Sequence, residues 1–197
     1  MVLNGLTIRG NFLNVRTVQK GNIALKMLNF KIYNASDVVV SCSIHCSDVM
    51  IKDGRFESCS GATALRIENF MGQEGFENCS SLSMDGVSFS KSTFYRIIRL
   101  QCVNFNLRNI KFSGNQVTSG DAFAISKSIG SIINIHFKGN NMKRAFDLEW
   151  GSKVSIKNIS STGPYIYQEF VYMFSEASLD MSKKYLSSIL KLSYLYI

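Results

Sequence analysis

The sequence predicts an all-β solenoid, a stack of similar coils built from short strands. Three observations predict it. First, the phrase Asn109-Ile110-Lys111-Phe112-Ser113-Gly114-Asn115 recurs as Asn134-Ile135-His136-Phe137-Lys138-Gly139-Asn140. Weaker copies begin at Gly5, Asn29, Asp48, Gly86 and Asn158. Taking the first apolar residue of each copy as anchor (Leu6, Phe30, Val49, Val87, Ile110, Ile135, Ile159), the intervals are 24, 19, 38, 23, 25 and 24 residues. Repeats of that length belong to solenoids. Second, apolar and polar residues alternate within each copy, the period of a strand and not of a helix. Third, Gly, Asn or Asp precedes each anchor, and these types tolerate the left-handed backbone of a corner.

Equal positions of successive coils then stack at the strand spacing of about 4.8 Å. The 38-residue interval divides into two periods, with an irregular copy near Ile67-Glu68-Asn69-Phe70, which gives seven or eight coils in all. Ile8, Ile32, Ile51, Phe89, Phe112 and Phe137, each two residues past its anchor, are expected to share one interior column.

In chain order, residues 3–54 hold three coils with corners at Gly10-Asn11, Asn34 and Asp53-Gly54. The β-branched run Asp37-Val38-Val39-Val40-Ser41-Cys42 reads as a buried strand. Residues 55–83 are turn-rich and least regular, with Gly72-Gln73-Glu74-Gly75 expected as an exposed loop. From Phe94 onward three coils can be laid on one another almost residue for residue, as far as Asn158. The solenoid is expected over 1–163. Residues 164–197 are expected to cap it: apolar residues at 185, 186, 189 and 190 predict a helix over about 178–191, with Ser178 as N-cap. The rival reading is a pair of degenerate last coils ending in Tyr194-Leu195-Tyr196-Ile197.

Stacked apolar ladders inside and an asparagine ladder at one corner resemble the right-handed parallel β-helix of the pectin-lyase-like superfamily, over about residues 3–163. The resemblance implies a rigid, flat face suited to an extended polysaccharide, in the manner of phage tailspikes or surface proteins, and an extracellular, cell-surface or virion setting. It implies glycoside hydrolase or polysaccharide lyase chemistry if the chain is catalytic. The superfamily's paired-aspartate and Gly-His-Gly motifs are absent.

The chain has 197 residues, 46% of them apolar, enough for one continuous core. Apolar runs fall short of a membrane span, and the first repeat begins at once, with no signal peptide ahead of it. An uncapped first coil predicts a fragment of a longer protein or a chain covered by a partner, including a homo-oligomer such as a trimer. A net charge of +8 favours acidic partners, and no run of cations interleaved with aromatics points to nucleic acid.

The five cysteines form no CxxC pair. Cys42 and Cys46 near His45 make an incomplete zinc set, so no metal or cofactor is expected. Cys59, Cys79 and Cys102 follow the repeat and are read as a ladder of buried free thiols. His45 and His136 lie far apart, and His136 shares an outward slot with Lys111.

One constellation carries chemistry. Asp147 and Glu149 flank Leu148, so a strand presents both carboxyls on one face, about 7 Å apart, a separation that suits glycosidic acid–base pairs. Trp150 follows and offers a stacking surface to a sugar. Superposing the coils places Ala124 and Ser126 beside this pair, and Arg99 and Gln101 one coil further. The expected site is therefore Asp147 and Glu149 as catalytic carboxyls, with Trp150, Arg99, Gln101, Ser126 and Lys127 binding the substrate. The sequon matches at Asn34, Asn78 and Asn158 carry no weight without a secretory signal. The expected function is recognition of a polysaccharide, an acidic one included, with cleavage as an option. The alternative is a non-catalytic structural or adhesive solenoid, part of a larger surface or spike protein.

Overall fold

The computed structural model describes residues 2–9, 14–17, 23–36, 39–43, 46–69, 79–118, 120–163, 165–186 and 192–194. The chain is an all-β parallel solenoid. All pairings among the described strands are parallel, and they fall into one 12-stranded and one 9-stranded sheet. Each coil has the same plan, clearest in residues 103–128. Val103–Ser113 runs along a first side and bends at Asn109 into a second. A Gly114-Asn115 corner leads to the third side, Gln116–Val117 and Asp121–Ser126, and a corner at Lys127-Ser128 closes the coil.

The first corner is set by backbone conformation. Gly5, Asn29, Asp53, Gly86, Asn109, Asn134 and Asn158 all have φ between +50° and +66°. On the outside their side chains form a ladder: Asn29 donates to Asn4, Asn109 to Asp85, Asn134 to Asn109 and Asn158 to Asn134, at 2.7–3.1 Å. A second ladder is buried. Asn140 Oδ1 accepts from the backbone N–H of Asn115, and Asn140 Nδ2 donates to the carbonyl of Phe112, both at 3.0 Å. Asn115 repeats the pattern one coil earlier, toward Ser92 and Phe89. These amides satisfy backbone groups that the corners leave without strand partners. At the third corner Ser128 and Ser152 do the same work through their hydroxyls, Ser128 Oγ accepting from Val103 N and Ser152 Oγ from Ser128 N.

The interior is continuous and aromatic. Phe56, Phe89, Phe112 and Phe137 stack along the second side at centroid distances of 4.8–5.3 Å with planes within 12° of parallel. Phe123 and Phe146 form a second stack from the third side, meeting the first edge-on.

Four expectations change. The seven corners define six intervals of 24, 24, 33, 23, 25 and 24 residues, so there are about six turns and not seven or eight. The 38-residue gap is not two coils but one long one, with residues 70–78 outside the described set. The corner of the third copy is Asp53 and not Asp48. Val49 instead lies on the first side, in register with Leu25 and Leu82. The second-side column accordingly runs Ile8, Ile32, Phe56, Phe89, Phe112, Phe137. Ile51 belongs to the first-side column, with Met27 and Met84. Asp48-Val49-Met50-Ile51 mimics the phrase because both sides of a coil alternate with the same period.

Ser178–Leu186 is a strand, not part of a helix. It pairs with Lys153–Thr162, aligning Leu179 with Val154 and Met181 with Ile156. Over Ser178–Leu186 strand pairing along an exposed edge prevails, and residues 187–191 of the expected helix lie outside the described set.

Cys79 and Cys102 form a disulfide, Cα–Cα 4.8 Å, and Cys42 is also disulfide-bonded, whereas Cys59 is free and buried. Equivalent positions on adjacent coils are one strand spacing apart, inside the range a disulfide spans. Stacking in register is what brings Cys79 within bonding reach of Cys102. Cys59 escapes because it sits at the second corner, between Ala35 and Ser92. Its 20-residue distance to Cys79 matches the period only through the length of the intervening insertion.

Candidate functional site

The third side carries the expected constellation. Its strands, Ser60–Glu68, Thr93–Gln101, Asp121–Ser126, Asn141–Glu149 and Tyr165–Met173, pair in sequence. Residues of equal register form columns. One reads Arg66, Arg99, Ala124, Asp147, Tyr172, and its neighbour reads Glu68, Gln101, Ser126, Glu149. Between them runs the buried column Ile67, Leu100, Ile125, Leu148. The expected superposition of Ala124 and Ser126 on Asp147 and Glu149, and of Arg99 and Gln101 beyond them, is the observed register.

This arrangement makes a notch. Ala124 and Ser126 are small, and the coils on either side carry long side chains. The cleft that results, about 210 Å³, is lined by Arg96, Arg99, Leu100, Gln101, Ala124, Ser126, Glu149 and Trp150. Trp150 occupies the third corner with φ +53°, edge-on to Phe174 at 5.7 Å, and remains 53% exposed. Lys127 lies on the same corner one coil earlier, φ +47°, and does not line the cleft.

Beside the notch lies a charge network that sequence reasoning missed. Arg144 contacts Asp147 at 3.1 Å, Glu169 at 3.7 Å and Asp121 at 3.8 Å, and lies 4.2 Å from the ring centre of Tyr172. Arg96 contacts Asp121 at 3.8 Å. On the other flank Glu68, fully buried, receives Arg66 at 2.7 Å and Arg99 at 2.8 Å. Gly120 makes room for this packing, since a Cβ there would strike the Tyr95 carbonyl.

Asp121 and Asp147 are both buried, and neither acid is in its ordinary range. Burial, followed by the charge of Asp121, pushes Asp147 up to about 7, against the pull of Arg144. Burial also raises Asp121, in spite of Arg144 and Arg96. Two carboxyls sharing a desolvated site resist double ionisation, so one proton is retained by the pair. Glu149 is raised too, first by burial and then by Asp147.

The reason Asp121, Arg96 and Arg144 escaped the sequence reading is parity. Strict alternation from Asp147 would turn Arg144 inward. Instead both members of the doublets Ile97-Ile98, Ala122-Phe123 and Ala145-Phe146 are buried. The third side bends at these doublets, and the residue before each is brought round to join the outward face. Paired buried residues recurring once per coil were the available signal.

Comparison with known proteins finds no family model, no curated protein and no solved structure that matches the chain.

Proposed function

We propose that the chain is a carbohydrate-recognising solenoid that seats a sugar in the notch on its third side. The observation that carries this reading is the notch itself, a gap one coil wide in an otherwise long-chained face. Guanidinium and amide groups wall one rim, and a carboxyl and an exposed indole wall the other. Gln101, Ser126 and Glu149 supply donors and acceptors for hydroxyls, Arg96 and Arg99 suit hydroxyls or a sugar carboxylate, and Trp150 offers its ring face to a pyranose. A parallel solenoid also keeps these groups on rigid strands, so that little ordering is lost on binding. Of the two expected catalytic carboxyls, Glu149 faces the cleft, while Asp147 is 5% exposed and held by Arg144. Recognition without cleavage is therefore the form of the proposal. In a cleaving form, Asp147 would be the proton donor and Glu149 its partner.

Titration of the protein against a panel of neutral and acidic oligosaccharides tests the proposal. Trp150→Ala should weaken binding of the best ligand by about 1 kcal/mol or more, with the melting temperature unchanged. Glu149→Gln should weaken it as well, and any turnover should vanish with it. No binding across the panel, or binding indifferent to both substitutions, would reject the site.

A structural or adhesive shaft is the second reading, and one observation favours it. The arginines of this face are largely occupied by Glu68, Asp121, Asp147 and Glu169, across several coils. Such a network pairs these charges with one another without a ligand.

A further inference from the structure

Among the residues whose side chains are described, the excess positive charge is not on the cleft side. Among the described residues, the third side sets Arg66, Arg96, Arg99, Lys127, Lys143 and Arg144 against Glu68, Asp121, Asp147, Glu149, Glu169 and Glu176. The first side mixes Lys26, Lys52, Arg108, Lys153 and Lys157 with Asp48, Asp85 and Asp180. The second side is different. Its outward column reads Thr7, Lys31, Arg55, Ser88, Lys111, His136, Ser160. The column beside it reads Arg9, Tyr33, Glu57, Ser90, Ser113, Lys138, Thr162. Five full cations face a single carboxylate, Glu57, which lies 3.9 Å from Arg55. Lys31, Lys111 and Lys138 are exposed, and no ion pair to them occurs among the described residues.

From this we infer a second binding surface: the second side of the solenoid binds a linear acidic polysaccharide laid along the coil axis. The site is separate from the notch and does not depend on it. The physical argument is spacing and shape. Register places cations of one column one strand spacing apart at Lys31 and Arg55, about 4.8 Å, and two spacings apart from Arg55 to Lys111, about 9.6 Å. An extended acidic glycan repeats its carboxylates or sulfates at the interval of one sugar or two. Ser88, Ser90 and Ser113 lie between the cations of the later coils and donate to ring and hydroxyl oxygens without obstructing a flat approach. Their uncompensated field focuses a polyanion on this side.

The same surface fits two other polyanions poorly. Tyr33 already lies beneath Arg9, at 5.7 Å from its ring centre, so no free ring stacks on a nucleic-acid base. Its large apolar residues point inward, and the exposed ones, Val2, Met50, Tyr95 and Trp150, lie outside these columns. Nothing on this face would therefore insert into a lipid surface.

The experiment compares two triple neutralisations that remove the same charge. K31Q/K111Q/K138Q strips the second side, and K26Q/K153Q/K157Q strips the first. All six lysines are exposed, so both variants should fold, which circular dichroism and a thermal melt check. Binding to polygalacturonate and to heparin is measured at several salt concentrations, beside a single-stranded oligonucleotide and vesicles of anionic lipid. The expected result is salt-sensitive binding of the polysaccharides that falls about tenfold in the second-side variant and hardly changes in the first-side variant. Trp150→Ala should leave this binding intact, which separates it from the notch. Equal losses in the two triple variants would mean diffuse charge attraction and would overturn the proposal. So would tighter binding of the oligonucleotide or the vesicles than of either polysaccharide, or no polysaccharide binding at all.

Discussion

The aromatic interior of the second side and the charged exterior of the third obey the same geometry with opposite consequences. In both, residues of equal register are brought one strand spacing apart. For Phe56, Phe89, Phe112 and Phe137, like beside like is favourable, since offset rings stack and exclude water together. For ionised groups it is unfavourable, so like charges on this side are held beside an opposite charge. Arg144 therefore sits among Asp121, Asp147 and Glu169, and Glu68 between Arg66 and Arg99. A ladder of phenylalanines can be extended by repeating one residue. A ladder of charges needs a different residue on each coil, which is why the third side is the least repetitive part of the regular coils and the part that holds a cleft.

Substitutions along these two regions should differ in size and in pH dependence. Phe112→Ala deletes a fully buried ring touching Phe89, Phe123 and Phe137 and should cost about 3–5 kcal/mol in urea unfolding. A loss under about 1 kcal/mol would mean that the ring is not packed in an interior column.

Asn140→Ala comes next. It leaves the Asn115 N–H and the Phe112 carbonyl without their buried partners and should cost about 1–3 kcal/mol. An unchanged melting curve would show that the corners are satisfied in some other way.

The charged side should respond with the opposite sign. Asp147 ordinarily ionises near 3.8 and in the fold at about 7. The folded chain thus holds a proton that the unfolded chain has released between these values. Stability from this group is present at low pH and is lost as pH rises through the folded value. Asp147→Asn should therefore stabilise the protein above pH ~8, by up to about 4 kcal/mol for a shift of this size, and change it little near pH ~4. Destabilisation by Asp147→Asn throughout would show that the pairing with Arg144 outweighs burial.

Smallest of all, Asn134→Ala breaks the exposed ladder to Asn109 and Asn158. Water replaces the lost amide contacts, but alanine is also poorly suited to the φ of +58°, so a cost of about 1 kcal/mol is expected. Asn134→Gly should recover most of it. If glycine fared no better than alanine, the hydrogen bonds and not the backbone would be holding that corner.

The sequence by itself determined the fold class and the face on which the cleft lies. Both follow from short-range rules: the two-residue period assigns Leu148 inward and Asp147 and Glu149 outward, and glycine, asparagine or aspartate marks each corner between the first and second sides. Where copies are nearly identical, from Phe94 to Asn158, superposing them was equivalent to reading the strand register, so Ala124 and Ser126 fell correctly beside the carboxyls. Tertiary structure alone decided the rest. Copies that are similar only in period left the register of residues 46–56 ambiguous, and the pairing of Arg55–Glu57 with Lys31–Tyr33 and with Ser88–Ser90 chose Phe56 over Ile51. It was also coil stacking that joined Cys79 to Cys102, and that drew Asp121, Arg96 and Arg144 into one network through bends that break the alternation. The physical reason is common to these cases. Alternation and turn chemistry are properties of a few adjacent residues, whereas a disulfide, a shared proton or an ion pair depends on which residue of another coil lies one strand spacing away.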